Sequence, residues 1–478
     1  MAEPPEPPDP GLRPVVGLDA AFLRTETTST LWHVVGVIVL DDRDASAPFD
    51  AEMLRRVLAP RLAAVDVLRQ RVVDGPVGVA GAQWQIGDVD LDVHVQGVRL
   101  PDGAGLAEVA ALAGEIAGRP LPRDRPLWEF TVVDGLADGR KALVAKVHHS
   151  LVDGVAAVGV LGALFGAAPE VPPVRHRTPT TPPVAPDPRT HLGAVARTAL
   201  DQPAVVARAV TRLARSGWRL LRAAPGRPPV PALPFTAPRI CLSRSITRDR
   251  SAAFAEFDRA ALDEVRAAFA VTFNDVALAL TAGVLRTWLA EAGDVPDRPL
   301  VTAVPTSVRR GADARGGNEV SVLFGALPVH LADAGERLAF MAEQMPRAKA
   351  LYEQVGPRTL PALALVAPWN VAAAVFRAYS DLGLADRLPP AVNLVCTSVP
   401  GPRLPLYCGE ARMEAMFPLG PIFDGAALNA TVITYTDRVC AGFLTCPDVA
   451  PPVQHLADAV TDEVAALVAA ARSHDARR

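Results

Sequence analysis

The sequence predicts an α/β protein of two domains. Three observations lead there. β-leaning apolar runs alternate with helix-patterned segments in both halves of the chain, and two proline-rich stretches interrupt its middle. The 478 residues also exceed the ~250 to 300 that a single core usually holds.

The opening MAEPPEPPDPGLRP is acidic and proline-rich, the opposite of the basic and then apolar start of a signal peptide, so a cytoplasmic protein with a disordered start is expected. Strand patterns follow at 34–41 (VVGVIVLD), 129–136 (EFTVVDGL) and 142–149 (ALVAKVHH). Helical spacing marks 51–65 and 105–118, and the apolar run after Gly154 has the length of a buried helix. Proline then stiffens 169–188 and 225–238, which read as extended linkers. The division expected is 1–168, a central insert over 169–238, and 239–478. In the last part, strand patterns lie at 321–331, 391–399, 430–436 and 439–446, with helical patterns at 258–269, 275–293 and 453–471.

Within the insert, Arg208, Arg212, Arg215, Arg219 and Arg222 recur at intervals of 4, 3, 4 and 3. At 100° per residue they share an arc of roughly 80°, opposite Val206, Val210, Leu213 and Leu220. A basic amphipathic helix over 204–224 either lies on an anionic membrane or lipid-droplet surface, or packs on a domain with its arginines in water.

Composition narrows the function. Apolar residues make up 50% of the chain and mean hydropathy is +0.21, yet no run reaches the ~20 residues of a spanning helix. The apolar stretch Leu360 to Phe376 comes closest and is interrupted by Pro361 and Pro368. A net charge of -4 offers no general attraction to nucleic acid. The five cysteines form no C-x-x-C pair, so buried free thiols are expected. There is no G-x-S-x-G elbow, no P-loop and no metal-ligand cluster.

The chemistry concentrates in KVHHSLVDG, Lys146 to Gly154, at a strand-to-helix junction. A packed core gains nothing from adjacent histidines followed by Asp153, whereas imidazole suits a base that takes a hydroxyl proton near pH 7. Asn274-Asp275 opens an apolar run and reads first as a helix N-cap. Trp128 in PLWE is either a core aromatic or, with Pro126 and Leu127, part of a substrate channel.

Eight motifs in order resemble the bacterial wax ester synthase/acyl-CoA:diacylglycerol acyltransferase family. They are LDAAFL (18–23), LPRDRPLWE (121–129), HHSLVDG (148–154), FNDVALAL (273–280), VPTSVR (304–309), GNEVSVLF (317–324), SVPGPRLPLY (398–407) and PIFDGAALNATVITY (421–435). HHSLVDG alone is shared with peptide-synthetase condensation domains; the ordered set is far more specific. The chain departs from the family pattern at Trp32, where Met is usual, at Ser398, where Asn is common, and at Gly420, where Ser is usual.

The resemblance implies two chloramphenicol acetyltransferase-like subdomains, each a mixed sheet flanked by helices, with an active-site tunnel at their interface. It implies long-chain acyl transfer from acyl-CoA, as co-substrate and without a further cofactor or metal, to diacylglycerol or a long-chain alcohol. His149 would be the general base, His148 its support, Asn274 an oxyanion or hydroxyl donor, and Gly154 a point of close approach. Asp153 would pair with Arg309 across the two subdomains as a structural clamp. A condensation-type enzyme acting on carrier-bound acyl groups and a non-catalytic lipid-droplet protein remain as alternatives.

Overall fold

The computed structural model describes residues 12–73, 82–152, 154–171, 211, 232–307, 320–355 and 369–476. The expectations for Asp153, for Arg309 and, apart from Thr211, for the basic helix over 204–224 lie outside the described residues.

The first half runs β1 (Leu12–Pro14), α1 (Gly17–Thr25), β2 (His33–Asp41), α2 (Ala51–Arg61), β3 (Gln70–Val73), β4 (Gln83–Ile86), α3 (Leu91–His94), β5 (Val95–Ala104), α4 (Leu106–Ala117), β6 (Trp128–Leu136), β7 (Lys141–His148) and α5 (Gly154–Leu164). The second runs β8 (Ser251–Asp258), α6 (Arg259–Phe269), α7 (Phe273–Glu291), β9 (Leu300–Ser307), β10 (Val320–Leu327), α8 (Ala334–Val355), α9 (Trp369–Asp381), β11 (Leu394–Val399), β12 (Tyr407–Cys408), β13 (Ala411–Leu419), β14 (Leu428–Tyr435), β15 (Arg438–Thr445) and α10 (Gln454–Asp475).

Two six-stranded mixed sheets result, in the orders β12-β13-β2-β7-β6-β5 and β10-β9-β11-β14-β15-β8. Their central strands are buried on both faces, which is why β2 (HVVGVIVLD) reads as a near-continuous apolar run; β14 (LNATVITY) is buried throughout with Asn429, Thr431 and Thr434 included. Parallel pairs occur at β5/β6, β9/β11 and β11/β14. The first sheet is not contiguous in sequence: β13 pairs antiparallel with β2, from Arg412 opposite Asp41 to Leu419 opposite Val35. A segment of the last part thus crosses over to complete the sheet of the first.

The halves also meet where α4 lies on the chain entering β8. A Cβ on Gly114 or Gly118 would come within 2.6 and 2.7 Å of the carbonyl oxygens of Arg250 and Arg248, so only glycine permits this approach. Phe254 of β8 and Phe417 of β13 stack at 4.7 Å across the same seam.

Among the described residues no single helix is long and apolar enough to cross a membrane. The bent pair α6 and α7, at 107°, owes its apolar character to α7 being buried almost all round. All five cysteines are free and four are buried; burial pushes the thiols of Cys396, Cys408 and Cys440 up to about 12.

Candidate active site

The end of β7, whose last residue is His148, divides the two histidines. β7 lies between β2 and β6, so its end is held on both sides: the His148 N–H donates to the Leu127 carbonyl at 2.9 Å and the His149 N–H to the Trp32 carbonyl at 2.7 Å. Successive side chains of a strand point to opposite faces. His148, buried opposite His33 in the β2/β7 register, has its ring 5.9 Å from that histidine's. His149 projects the other way and is half-buried, with its ring 4.5 Å from Phe22 of α1. Phe22 in turn meets Trp32 at 5.0 Å, and Trp32 meets Phe423 and Phe376 of the second half at 5.8 and 6.3 Å. His149 thus stands at the meeting of the halves, on an aromatic floor.

His148 belongs to a buried polar cluster. The Ser150 N–H donates to its Nδ1 at 3.1 Å and the Ser150 hydroxyl lies 2.6 Å from the same atom. Neutral His148 therefore carries its proton on Nε2, which faces Glu26 Oε2 at 3.8 Å. Glu26, the residue that ends α1, also stands 3.8 Å from His33 Nε2 and is held by an ion pair with Arg123. Lys146 completes the shell: wholly buried, its Nζ donates to the carbonyls of Ile116 and Arg119 at 2.8 and 2.6 Å and meets Glu129 at 3.0 Å. The motifs LDAAFL, LPRDRPLWE and HHSLVDG contain Phe22, Arg123 and Ser150 without marking their roles, and Glu26 lies in none of them; only Ser150 is near the histidines in sequence, and the other three reach them through the fold.

Burial holds the His148 imidazole well below its usual value, with the charges of His33, Arg123 and His149 adding to the effect. Burial likewise lowers His33 to about 3, Lys146 adding to it, and pushes His94 down. These rings are neutral in the folded protein near pH 7 but protonate near pH ~6.5 in the unfolded chain. The unfolded state thus binds more protons below that pH. Stability is full above about 6.5 and is expected to fall with pH by up to about 1.4 kcal/mol per unit for each histidine. For His33 the fall continues to about 3. Urea melts from pH ~7.5 to ~5, above most carboxylate titrations, measure this slope, and a flat profile would contradict the buried neutral cluster.

Asn274 is not the helix cap that the sequence suggested. Thr272 caps α7: its hydroxyl accepts the Asp275 N–H at 3.3 Å while the Asp275 carboxylate accepts the Thr272 N–H at 2.8 Å. Asp275 so occupied, Asn274 is left for another task. Its Oδ1 accepts the hydroxyl of Ser398 in β11 at 2.9 Å, which turns the amide nitrogen into the group available to a ligand.

Trp128 and Leu127 are buried in the core of the first half. The Trp128 indole N–H donates to the Leu68 carbonyl at 2.8 Å and the ring stacks on His94 at 4.3 Å, while Pro126 is buried beside them. Residues 126–128, expected to line a substrate channel, thus lie within the packed first half. Gly154 begins α5. Gly401, in SVPGP, lies against the Thr434 carbonyl where a Cβ would collide, so the motif's glycine is a point of backbone contact. Gly420 has a similar reason: its N–H donates to Asn429 Oδ1 at 3.1 Å, and a side chain there would overlap that amide.

Residues 15–277 match the model of the wax ester synthase/diacylglycerol acyltransferase catalytic domain, and 316–467 match that of the WS/DGAT C-terminal domain. The first match contains both His149 and Asn274. A Mycobacterium tuberculosis protein provisionally named a diacylglycerol O-acyltransferase is 33% identical over 462 residues, 95% of this chain and 90% of its own. A Mycobacterium bovis protein named in the same way is 32% identical over 444 residues, 92% of this chain and 95% of its own. Among solved structures, the wax ester synthase/diacylglycerol acyltransferase of Marinobacter aquaeolei VT8 has a TM-score of 0.67 at 26% identity, covering 96% of this chain and 100% of that one. The starter condensation domain of rhizomide synthetase, at 14% identity and a TM-score of 0.54, covers 97% of this chain and 95% of its own and is a likeness of fold.

Proposed function

The chain belongs to the wax ester synthase/diacylglycerol acyltransferase family and is an O-acyltransferase of triacylglycerol and wax ester synthesis; from that premise we propose that His149 is its general base. His149 takes the proton of the acceptor hydroxyl while that oxygen attacks the thioester carbonyl carbon of acyl-CoA. The tetrahedral intermediate collapses as the C–S bond breaks. The thiolate of CoA leaves and recovers the proton from the imidazolium, so the acyl group moves in one displacement with no covalent enzyme intermediate. The observation that carries this reading is the geometry at the end of β7, which sends His149 alone to the seam between the halves and ties His148 into the polar cluster behind it. His148 is then a positioning residue. Acyl-CoA is the only co-substrate this scheme requires, and neither a metal nor a prosthetic group enters it.

Asn274, oriented by Ser398, supplies the amide N–H that stabilises the oxyanion. Because Thr272 and Asp275 cap α7 without it, Asn274→Ala is expected to lower turnover by about 10²- to 10³-fold with little change in melting temperature. Loss of stability with turnover per folded molecule unchanged would exclude the role.

The reading as a whole is tested by thiol release from palmitoyl-CoA with diacylglycerol, with hexadecanol and with neither. Acceptor-dependent release and an ester product are expected; release without acceptor, or none at all, would overturn it. The Asp153–Arg309 clamp and membrane binding through 204–224 belong to the same proposal, which places the enzyme at the cytoplasmic face of the membrane or on lipid droplets. Strictly additive stability losses in Asp153→Ala and Arg309→Ala would remove the clamp. Failure to co-sediment with anionic vesicles at low salt would remove the membrane contact.

A further inference from the structure

Trp32 is a polar group of the site that the reaction scheme leaves unused. Its carbonyl oxygen fixes the His149 backbone at 2.7 Å, and its ring lies among Phe22, Phe376 and Phe423. Yet its indole Nε1–H is buried and meets no acceptor among the described residues. Trp128, in the core of the first half, shows the usual arrangement, with its N–H donating to the Leu68 carbonyl. A tryptophan indole donates only, and a buried donor without an acceptor destabilises the protein unless something else supplies the oxygen.

We propose that Trp32 determines acceptor specificity, its indole N–H donating to an ester carbonyl of diacylglycerol. The inference rests on His149 lying at the reacting hydroxyl. A group adjoining His149 in an apolar, aromatic setting meets the part of the acceptor next to that hydroxyl. In 1,2-diacylglycerol the neighbouring carbon carries an ester, whose carbonyl is a hydrogen-bond acceptor. A long-chain alcohol offers only methylene at the same place, so its binding leaves the indole N–H buried and unpaired. The donor therefore favours diacylglycerol.

The test compares two acceptors that differ only in the carbonyls, 1,2-dioctanoylglycerol and its diether counterpart 1,2-dioctylglycerol. The unmodified enzyme is expected to prefer the diester in kcat/KM by about 3- to 10-fold, the worth of one hydrogen bond. Trp32→Phe, which keeps the aromatic packing and removes the N–H, is expected to bring the ratio close to one. Equal use of both acceptors by the unmodified enzyme overturns the proposal without any variant, so a poorly folded variant does not protect it. An unchanged ratio in Trp32→Phe overturns it as well, and so does an equal loss with both acceptors, which would put the N–H on the thioester carbonyl. Should the unmodified enzyme transfer no acyl group to either acceptor, the proposed function itself fails, and the two failures are told apart.

Discussion

Alanine at His149 is expected to lower acyl transfer by about 10²- to 10⁴-fold while the melting temperature stays essentially unchanged. The side chain projects from the end of β7 toward the seam and is half-buried, and the ladder bond to the Trp32 carbonyl comes from its backbone, which alanine keeps. His148→Ala is expected to do the reverse. It empties a buried position in contact with Ser150 and strips Glu26 of one neighbour, so it lowers stability while costing less in turnover per folded molecule. Thermal melts and thiol release on both variants separate the roles. Two variants equally inactive and equally stable would mean that the geometry at the strand end does not divide base from support.

What the sequence made legible follows from whether a feature is written locally. The β-branched runs at 34–41, 129–136 and 142–149 became β2, β6 and β7, because a strand buried on both faces needs such residues consecutively. β5 (VQGVRLPDGA) escaped notice because it is an edge strand, exposed along most of its length and carrying Gly, Pro and Asp. β13 (ARMEAMFPL) escaped for another reason: Ala, Met and Glu favour helix, and its strand character comes from pairing with β2 far away in the chain. The histidine pair was visible as a motif, but that its members face opposite ways became plain only with the register of β7 against β2. The Glu26–Arg123 pair behind it was not, since two charges far apart in sequence carry no mark of contact. The cap of α7 is written locally: Thr272 stands three residues before Asp275, the spacing of a capping box, with Asn274 between them as a competing cap residue.

Arg337→Ala is expected to be the most destabilising substitution in the second half, at about 3 to 5 kcal/mol. Arg337 of α8 is buried and donates through Nη2 to both carboxylate oxygens of Glu463 in α10, at 2.6 and 2.8 Å. Its Nη1 donates to the carbonyls of Leu331 and Ala332 at 3.0 and 2.8 Å. Removing it strands a buried carboxylate whose pKa burial already raises and which Arg337 alone pulls back down. The variant's Glu463 should therefore take up a proton more readily. A carboxyl with a raised folded pKa favours the folded state at low pH and opposes it as the pH rises, so the loss should be smaller near pH ~5 than near pH ~8. Gly283 of α7 sharpens the test, because a Cβ there would fall on the Glu463 carboxylate, which the two-pronged bond to Arg337 keeps from moving aside. Gly→Ala within a helix normally stabilises by about 1 kcal/mol; Gly283→Ala is expected to destabilise instead. Replacing Arg337 and Glu463 together by methionine removes both charges and should cost much less than Arg337→Ala. A double variant as unstable as the single, or a loss independent of pH, would show that packing and not the stranded carboxylate carries the effect.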